Sequence, residues 1–132
     1  MIGIDTNVLL RFLVVDHAGQ VDVVRDFFAN RSGSDPVFVS AIVLLEALWV
    51  LKRRFGYTRS DVAAALRQLL SSPEFEFEHG ERLTELLSIG DPSSSDIADR
   101  LIAESGKVAG CSRTVTFDRS AAARIPGMEL LS

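Results

Sequence analysis

Short apolar segments with strand character alternate along this chain with longer segments of helical periodicity. The predicted strands are residues 1–5, 37–39, 75–78, 114–117 and 128–131. The predicted helices are residues 7–14, 18–30, 41–55, 60–70, 81–88, 95–109 and 121–124. Parallel strands must be joined by a crossover, which is usually a helix, so this alternation predicts an α/β fold with a mostly parallel sheet. Within that sheet, residues 75–78 are expected at an edge.

The size and hydrophobicity of the chain favour one soluble domain over residues 1–132. It has 132 residues, of which 47% are hydrophobic, and this is enough to bury a core without disulfides. No uncharged run reaches the roughly 18 residues that a membrane span needs. The opening residues, Met1 to Asp5, lack the basic and small residues of an export signal. We therefore expect a cytoplasmic protein that does not interact with membranes.

The net charge of −4 argues against nucleic-acid binding through a broad basic surface. It does not argue against every nucleic-acid enzyme. Acidic side chains that converge on divalent cations have their charge cancelled locally, and the bound cations attract phosphate. The charge balance thus excludes one mode of binding rather than one class of substrate.

Two of the predicted strands end in an aspartate. Residues 1–4 lead into Asp5, and residues 114–117 lead into Asp118. Ligands of open parallel sheets bind beyond the carboxyl ends of the strands, so both carboxylates lie where a site would form. Each aspartate could equally be the N-cap of the helix that follows it. The sequence leaves both roles open.

Glu46 is the only charged residue in the apolar run of residues 41–51. Because this helix is apolar nearly all round, we expect it to be largely buried, and an ionised carboxylate there needs compensation. The compensating group is either a buried arginine or lysine, or a metal ion. We favour the metal ion.

Two acids stand three residues apart near the start of the helix at residues 95–109. Asp96 matches the fourth position of a capping box that begins at Ser93, which gives it a structural role. Asp99 lies one turn further along, at the edge of the apolar face. We therefore choose Asp99 as a metal ligand and keep Asp96 as an alternative that acts through water.

All of these candidate ligands are carboxylates, which suit Mg²⁺ or Mn²⁺ better than zinc. Such a site is typical of enzymes that hydrolyse phosphate esters with metal-activated water. The single cysteine, Cys111, lacks the cysteine and histidine neighbours of a zinc site. The histidines His17 and His79 lack any motif of a metal-independent ribonuclease.

Four segments together resemble the PIN-domain ribonucleases, and among them the VapC-type toxins of toxin–antitoxin pairs. The matching segments are residues 4–13, 40–46, 99–103 and 116–119, in the order that the family has them. By this resemblance the metal-binding and catalytic acids correspond to Asp5, Glu46, Asp99 and Asp118. Thr6, Asn7 and Thr116 correspond to the polar residues that assist them.

The resemblance implies a three-layer α/β/α sandwich, a homodimer, an RNA substrate, and a cognate antitoxin that neutralises the enzyme. One departure is Arg100, where the family usually has a small residue. Arg100 could pair with Asp96 or Asp99 and weaken metal binding, but we expect it to point to solvent.

Two alternatives remain open. One is a catalytically silent PIN-like module that acts by complex formation, favoured by Arg100 and by a surplus of aromatic residues. The other is a metal-dependent phosphatase of the aspartyl type. Those enzymes place a second aspartate two residues after the first, where this chain has Asn7.

Overall fold

The computed structural model describes residues 1–14 and 18–131, with the backbone alone for residues 18–21. The strands are β1 (Ile2–Gly3), β2 (Val37–Val39), β3 (Phe75–Phe77), β4 (Thr114–Thr116) and β5 (Met128–Leu130). The helices are α1 (Thr6–Leu13), α2 (Ala18–Ala29), α3 (Ala41–Phe55), α4 (Arg59–Leu70), α5 (Gly80–Ile89), α6 (Ser94–Val108) and α7 (Arg119–Arg124). Every predicted element is present, with bounds that differ by at most two residues.

The named strands all pair in parallel, which confirms the predicted α/β class. β2 lies between β1 and β3, with Val37 opposite both Ile2 and Phe75. β4 pairs with β5 in a second, two-stranded sheet. β3 is an edge strand of its sheet, as predicted.

By its internal contacts the chain divides into two compact units, Met1–Gly80 and Glu81–Ser132. The single domain and the three-layer arrangement that the sequence predicts stay predictions.

In the first unit, α3 and α4 supply most of the buried aliphatic side chains. Leu44, Leu48 and Leu51 of α3 are buried, and so are Val62 and Leu66 of α4. α3 ends at Gly56, whose left-handed backbone (φ 65°) is the conformation that glycine adopts most readily. The helix bounds therefore follow from local sequence signals.

Aromatic side chains form another part of the core of the first unit. Phe28 packs against Phe12 and Phe75, with ring centroids 4.4 and 5.5 Å apart. Phe28 and Phe75 are buried, whereas Phe12 is partly exposed. Much of the aromatic surplus seen in the sequence is therefore core.

The second unit has a small core around α6. Ile97, Leu101 and Ala103 of α6 are buried, and Ala103 belongs to a cluster with Ala121 and Ile125. This core holds α6, which carries Asp96 and Asp99, and α7, which Asp118 caps.

The prediction that α3 is largely buried is wrong for one of its faces. Ile42 is 78% exposed and Trp49 is 58% exposed, although Leu44 and Leu48 are buried. The buried stripe packs inward, and the opposite stripe faces outward despite its apolar residues. None of the helices in the described ranges is both long and apolar enough to cross a bilayer.

Candidate functional site

Asp5 and Asp118 are both helix N-caps. The Val8 N–H donates to Asp5 Oδ1 at the start of α1, and the Ala121 N–H donates to Asp118 Oδ1 at the start of α7, each at 3.0 Å. The capping role that the sequence left open is therefore real for both residues. Each cap uses only one carboxylate oxygen, and in the described residues the other oxygen accepts no hydrogen bond. Capping and ligand roles are compatible, because both carboxylates are exposed.

Glu46 is exposed, so the prediction of a buried carboxylate is wrong. The reason is the one-sided packing of α3, which places Glu46 outside the buried stripe. Among the residues that the structure describes, no charged or polar residue is buried. Water can therefore solvate Glu46, and no buried cation is required.

Thr6 connects the first two acids. Its hydroxyl donates to Glu46 Oε1, while Thr6 itself directly follows the cap residue Asp5. The contact joins the start of α1 to the middle of α3. Asp5 and Glu46 are thus held on neighbouring helices of the first unit, and Thr6 links the two.

Asp96 has both of its carboxylate oxygens engaged. Oδ2 accepts from the Ser93 N–H at 3.3 Å in the predicted capping box, and Oδ1 accepts from Arg124 Nη1 at 2.6 Å. Burial alone would raise the pKa of Asp96, but the hydrogen bond from Arg124 and those from Ser93 outweigh it and lower the pKa. Asp96 is therefore a structural acid rather than an open ligand.

Asp99 has the opposite environment. It is half-buried on α6, and burial raises its pKa, with further contributions from the negative charges of Asp118 and Asp96. The charge of Arg124 opposes the shift without reversing it. Asp99 therefore lies in an environment where negative charge is only partly compensated, which is the kind of environment that a cation stabilises.

Arg100 does not point to solvent, and this prediction is wrong. Arg100 Nη2 donates to Glu85 Oε2 on α5 at 3.2 Å, and its side chain is only 17% exposed. Neighbouring helical positions point about 100° apart, so Arg100 faces α5 rather than Asp99. It pairs with neither Asp99 nor Asp96, and the concern that it blocks metal binding does not apply.

Sequence reasoning missed Arg124, the guanidinium that does approach the acids. It lies in the last turn of α7, 28 residues from Asp96. A positive charge six residues after Asp118 was visible in the sequence. No local pattern indicated that it would contact α6.

Thr116 supports Asp118 through the backbone. Its hydroxyl oxygen accepts the Asp118 N–H at 3.0 Å, which fixes the turn between β4 and α7. Asn7 is exposed on α1. His79 Nε2 lies 3.9 Å from Glu78 Oε2, and His17 lies outside the described residues.

The acids thus fall into two sets, one in each unit. Across residues 1–14 and 18–131, no group of three or more acidic, histidine or cysteine side chains is arranged to hold a metal ion. The donor chemistry nevertheless fits a hard divalent cation, since the available ligands are carboxylate oxygens. In the first unit the open oxygen of Asp5 has this chemistry, and in the second unit the open oxygen of Asp118 and the carboxylate of Asp99 have it.

Comparisons with known proteins identify the family of this chain. The family model described as "PIN domain" matches residues 2–127. A relative described as "VapC ribonuclease", from Aquifex aeolicus (strain VF5), is 25% identical over 117 residues, which cover 88% of this chain and 86% of the relative. No solved structure matches the chain significantly. With the family model spanning almost its full length, the chain belongs to the PIN domain family.

Proposed function

We propose that this chain is a Mg²⁺- or Mn²⁺-dependent endoribonuclease that acts as the toxin of a toxin–antitoxin system. Membership of the PIN domain family and similarity to a VapC ribonuclease support this proposal. The observation that carries it is the half-buried Asp99 on α6, whose pKa is raised by burial and then by the negative charges of Asp118 and Asp96. An excess of negative charge destabilises a protein unless a cation binds there.

In this proposal the metal ligands are Asp5, Glu46, Asp99 and Asp118. Thr6 orients the Glu46 carboxylate, Thr116 fixes the backbone of Asp118, and Asn7 offers a further polar group near Asp5. Asp96 has a different role, since its pairing with Arg124 sets the charge beside Asp99.

The proposed chemistry is hydrolysis of an RNA phosphodiester bond. A bound divalent cation would lower the pKa of a water molecule and offset the charge that develops on the phosphate. The carboxylates hold the cation and accept hydrogen bonds from the attacking water. No nucleophilic side chain is required.

The biological partners follow from the same assignment. We propose a cytoplasmic homodimer whose activity is blocked by a cognate antitoxin. Ile42 and Trp49, the apolar residues exposed on α3, are suited to contact another protein chain.

The test is cleavage of single-stranded RNA by the purified protein with Mn²⁺ and with excess EDTA. We expect cleavage with Mn²⁺ only, and its loss in Asp118→Asn. Asp22→Asn is the matched control, because Asp22 is an exposed acid on α2 with only a loose ion pair to Arg25 (3.4 Å). Undiminished cleavage in EDTA would refute metal dependence.

The same protein also separates the alternatives. Hydrolysis of a phosphate monoester such as para-nitrophenyl phosphate, with RNA left intact, would favour the phosphatase. If Asp118→Asn were as toxic on expression as the unchanged protein, the silent binding module would be favoured instead.

A further inference from the structure

The second unit contains a cavity of about 420 Å³ that no role described above uses. It lies between the second half of α6, the segment that leads into β4, and the turn before β5. Four of its lining side chains are cationic and one is acidic: Arg82, Arg100, Lys107, Arg113 and Glu104. Its volume falls in the range of small-ligand sites, which is about 300–1,000 Å³.

The cavity extends along α6 from Arg100, which follows Asp99, to Lys107 near the end of the helix. Arg100, Glu104 and Lys107 follow one another at spacings of four and three, so they share one face of the helix. Lys107 lies about 12 Å along the helix axis from Asp99. Thr114, which begins β4, also lines the cavity, whereas Asp118 follows the end of that strand. The Lys107 end of the cavity is therefore separated from the acids within the second unit.

The cations of the cavity have weak or shared partners. Arg82 and Arg100 both contact the same carboxylate, that of Glu85, at 3.1 and 3.2 Å. Arg113 lies 3.7 Å from Glu129, and both side chains are more than half exposed. Lys107 forms no ion pair with any residue in the described ranges. The exposed pair of Arg113 and Glu129 contributes little to stability, so a phosphate can displace the Glu129 carboxylate at small cost.

We propose that this cavity binds a phosphate group of the RNA strand, away from the bond that is cleaved. The assignment rests on the proposed function for its choice of RNA. Guanidinium groups bind phosphate through paired hydrogen bonds, and a lysine adds a point charge. The hydroxyls of Ser112 and Thr114 offer further donors. A free nucleotide has the same phosphate chemistry, so the experiment must separate these two sources.

Cys111 gives a direct readout of occupancy. It lines the cavity, is exposed, and is the single cysteine of the chain. Its rate of alkylation by iodoacetamide, a neutral reagent, is measured in EDTA with a short single-stranded RNA, with AMP, or with neither. At a ligand concentration of ten times the Kd, occupancy should slow alkylation about tenfold.

Two matched double variants each remove two positive charges. The first removes them from the cavity lining, and the second, which is the control, removes them elsewhere. In Lys107→Ala/Arg113→Ala we expect the protection by RNA to be lost. The slope of the logarithm of the RNA association constant against log salt should become less steep by about 0.7, which corresponds to one phosphate contact on a single strand. Arg25→Ala/Arg59→Ala removes two exposed arginines of the first unit and should leave protection unchanged.

Each outcome of the alkylation experiment supports or overturns the proposed phosphate site. Protection by RNA that depends on Lys107 and Arg113 supports the proposal. Equal alkylation rates with and without RNA overturn it, and protection by AMP alone overturns the assignment to the RNA strand. Because the measurement needs no cleavage, protection without any Mn²⁺-dependent hydrolysis would refute the proposed function and leave the phosphate site standing.

Discussion

The two sets of acidic residues differ in how the protein compensates their charge. In the first unit, Asp5 and Glu46 are exposed and accept hydrogen bonds from neutral donors, the Val8 N–H and the Thr6 hydroxyl. In the second unit, Asp96 is paired with a guanidinium, while Asp99 is half-buried beside Asp118 and its pKa is raised by burial.

The difference shows that negative charge lowers the stability of the fold in the second set and not in the first. Water and neutral donors satisfy the first set, so folding gains or loses little from those charges. The second set retains a carboxylate whose charged form is disfavoured in the folded state. Such a residue is expected where charge serves binding rather than stability. We therefore expect the second set to respond more strongly to substitution and to metal.

The largest effect is expected for Asp99→Asn. Removing a charge that holds the metal should lower the rate of RNA cleavage by about 10²–10³-fold. The free energy of unfolding at pH 7 should rise, because the raised pKa means that ionised Asp99 destabilises the folded state. This gain should shrink as the pH falls through the raised pKa and vanish below the ordinary aspartate pKa of 3.8. Urea unfolding against pH measures it, and a loss of stability at pH 7 would contradict the comparison.

A smaller effect is expected for Arg124→Gln, which should strengthen metal binding rather than weaken it. Arg124 pairs with Asp96 and its charge lowers the pKa of Asp99, so its removal makes the second set more negative. The affinity for Mn²⁺, measured by calorimetry, should rise several-fold, while stability falls because Asp96 loses its partner. Weaker Mn²⁺ binding would mean that Arg124 supports the metal site rather than competing with it.

A modest effect is expected for Thr6→Val in the first set. The substitution keeps the shape and removes the donor to Glu46. Loss of one such hydrogen bond is worth about 1 kcal/mol, or about a fivefold decrease in cleavage rate. Thr6→Ser keeps the hydroxyl and should restore most of the activity. Equal rates of RNA cleavage in Thr6→Val and Thr6→Ser would show that the Thr6 hydroxyl does not orient Glu46.

The smallest effect is expected for Asp61→Asn, outside both sets. Asp61 completes a capping box with Thr58 like that of Asp96 with Ser93, but it has no arginine partner in the described structure. Hydrogen bonds from the Thr58 backbone and then its side chain lower the pKa of Asp61. Its charge therefore stabilises the fold above pH 3.8, and this contribution is lost as the pH falls through the lowered pKa.

In this variant RNA cleavage should be unchanged and stability at pH 7 only slightly lower. The same substitution at Asp96 should cost more, because it leaves Arg124 without an anionic partner. Equal losses at Asp61 and Asp96 would remove the distinction between the two capping boxes.

The sequence predicted the elements well because their ends carry local signals. Gly56 ends α3, and Asp5 and Asp118 begin helices after strands, so nearby residues decide these bounds. The supporting roles of Thr6 and Thr116 came from the family resemblance, and they stay predictions.

Exposure and partners depend on the tertiary structure, and the sequence did not predict them. An apolar helix does not reveal which of its faces is covered, so Glu46 was predicted to be buried when it is exposed. The partners of Arg100 and Arg124 lie 15 and 28 residues away in sequence. Helical periodicity gives the direction of a side chain, not the identity of what it meets.

The cap at Asp118 limits which amino acids can occupy that position. Serine, threonine and asparagine begin helices well but carry no charge, and glutamate carries charge but is not among the favoured caps. If Asp118 binds metal as proposed, aspartate alone satisfies both demands with one oxygen for each. An inactivating alanine there would also loosen α7, whereas asparagine separates the loss of chemistry from the loss of structure.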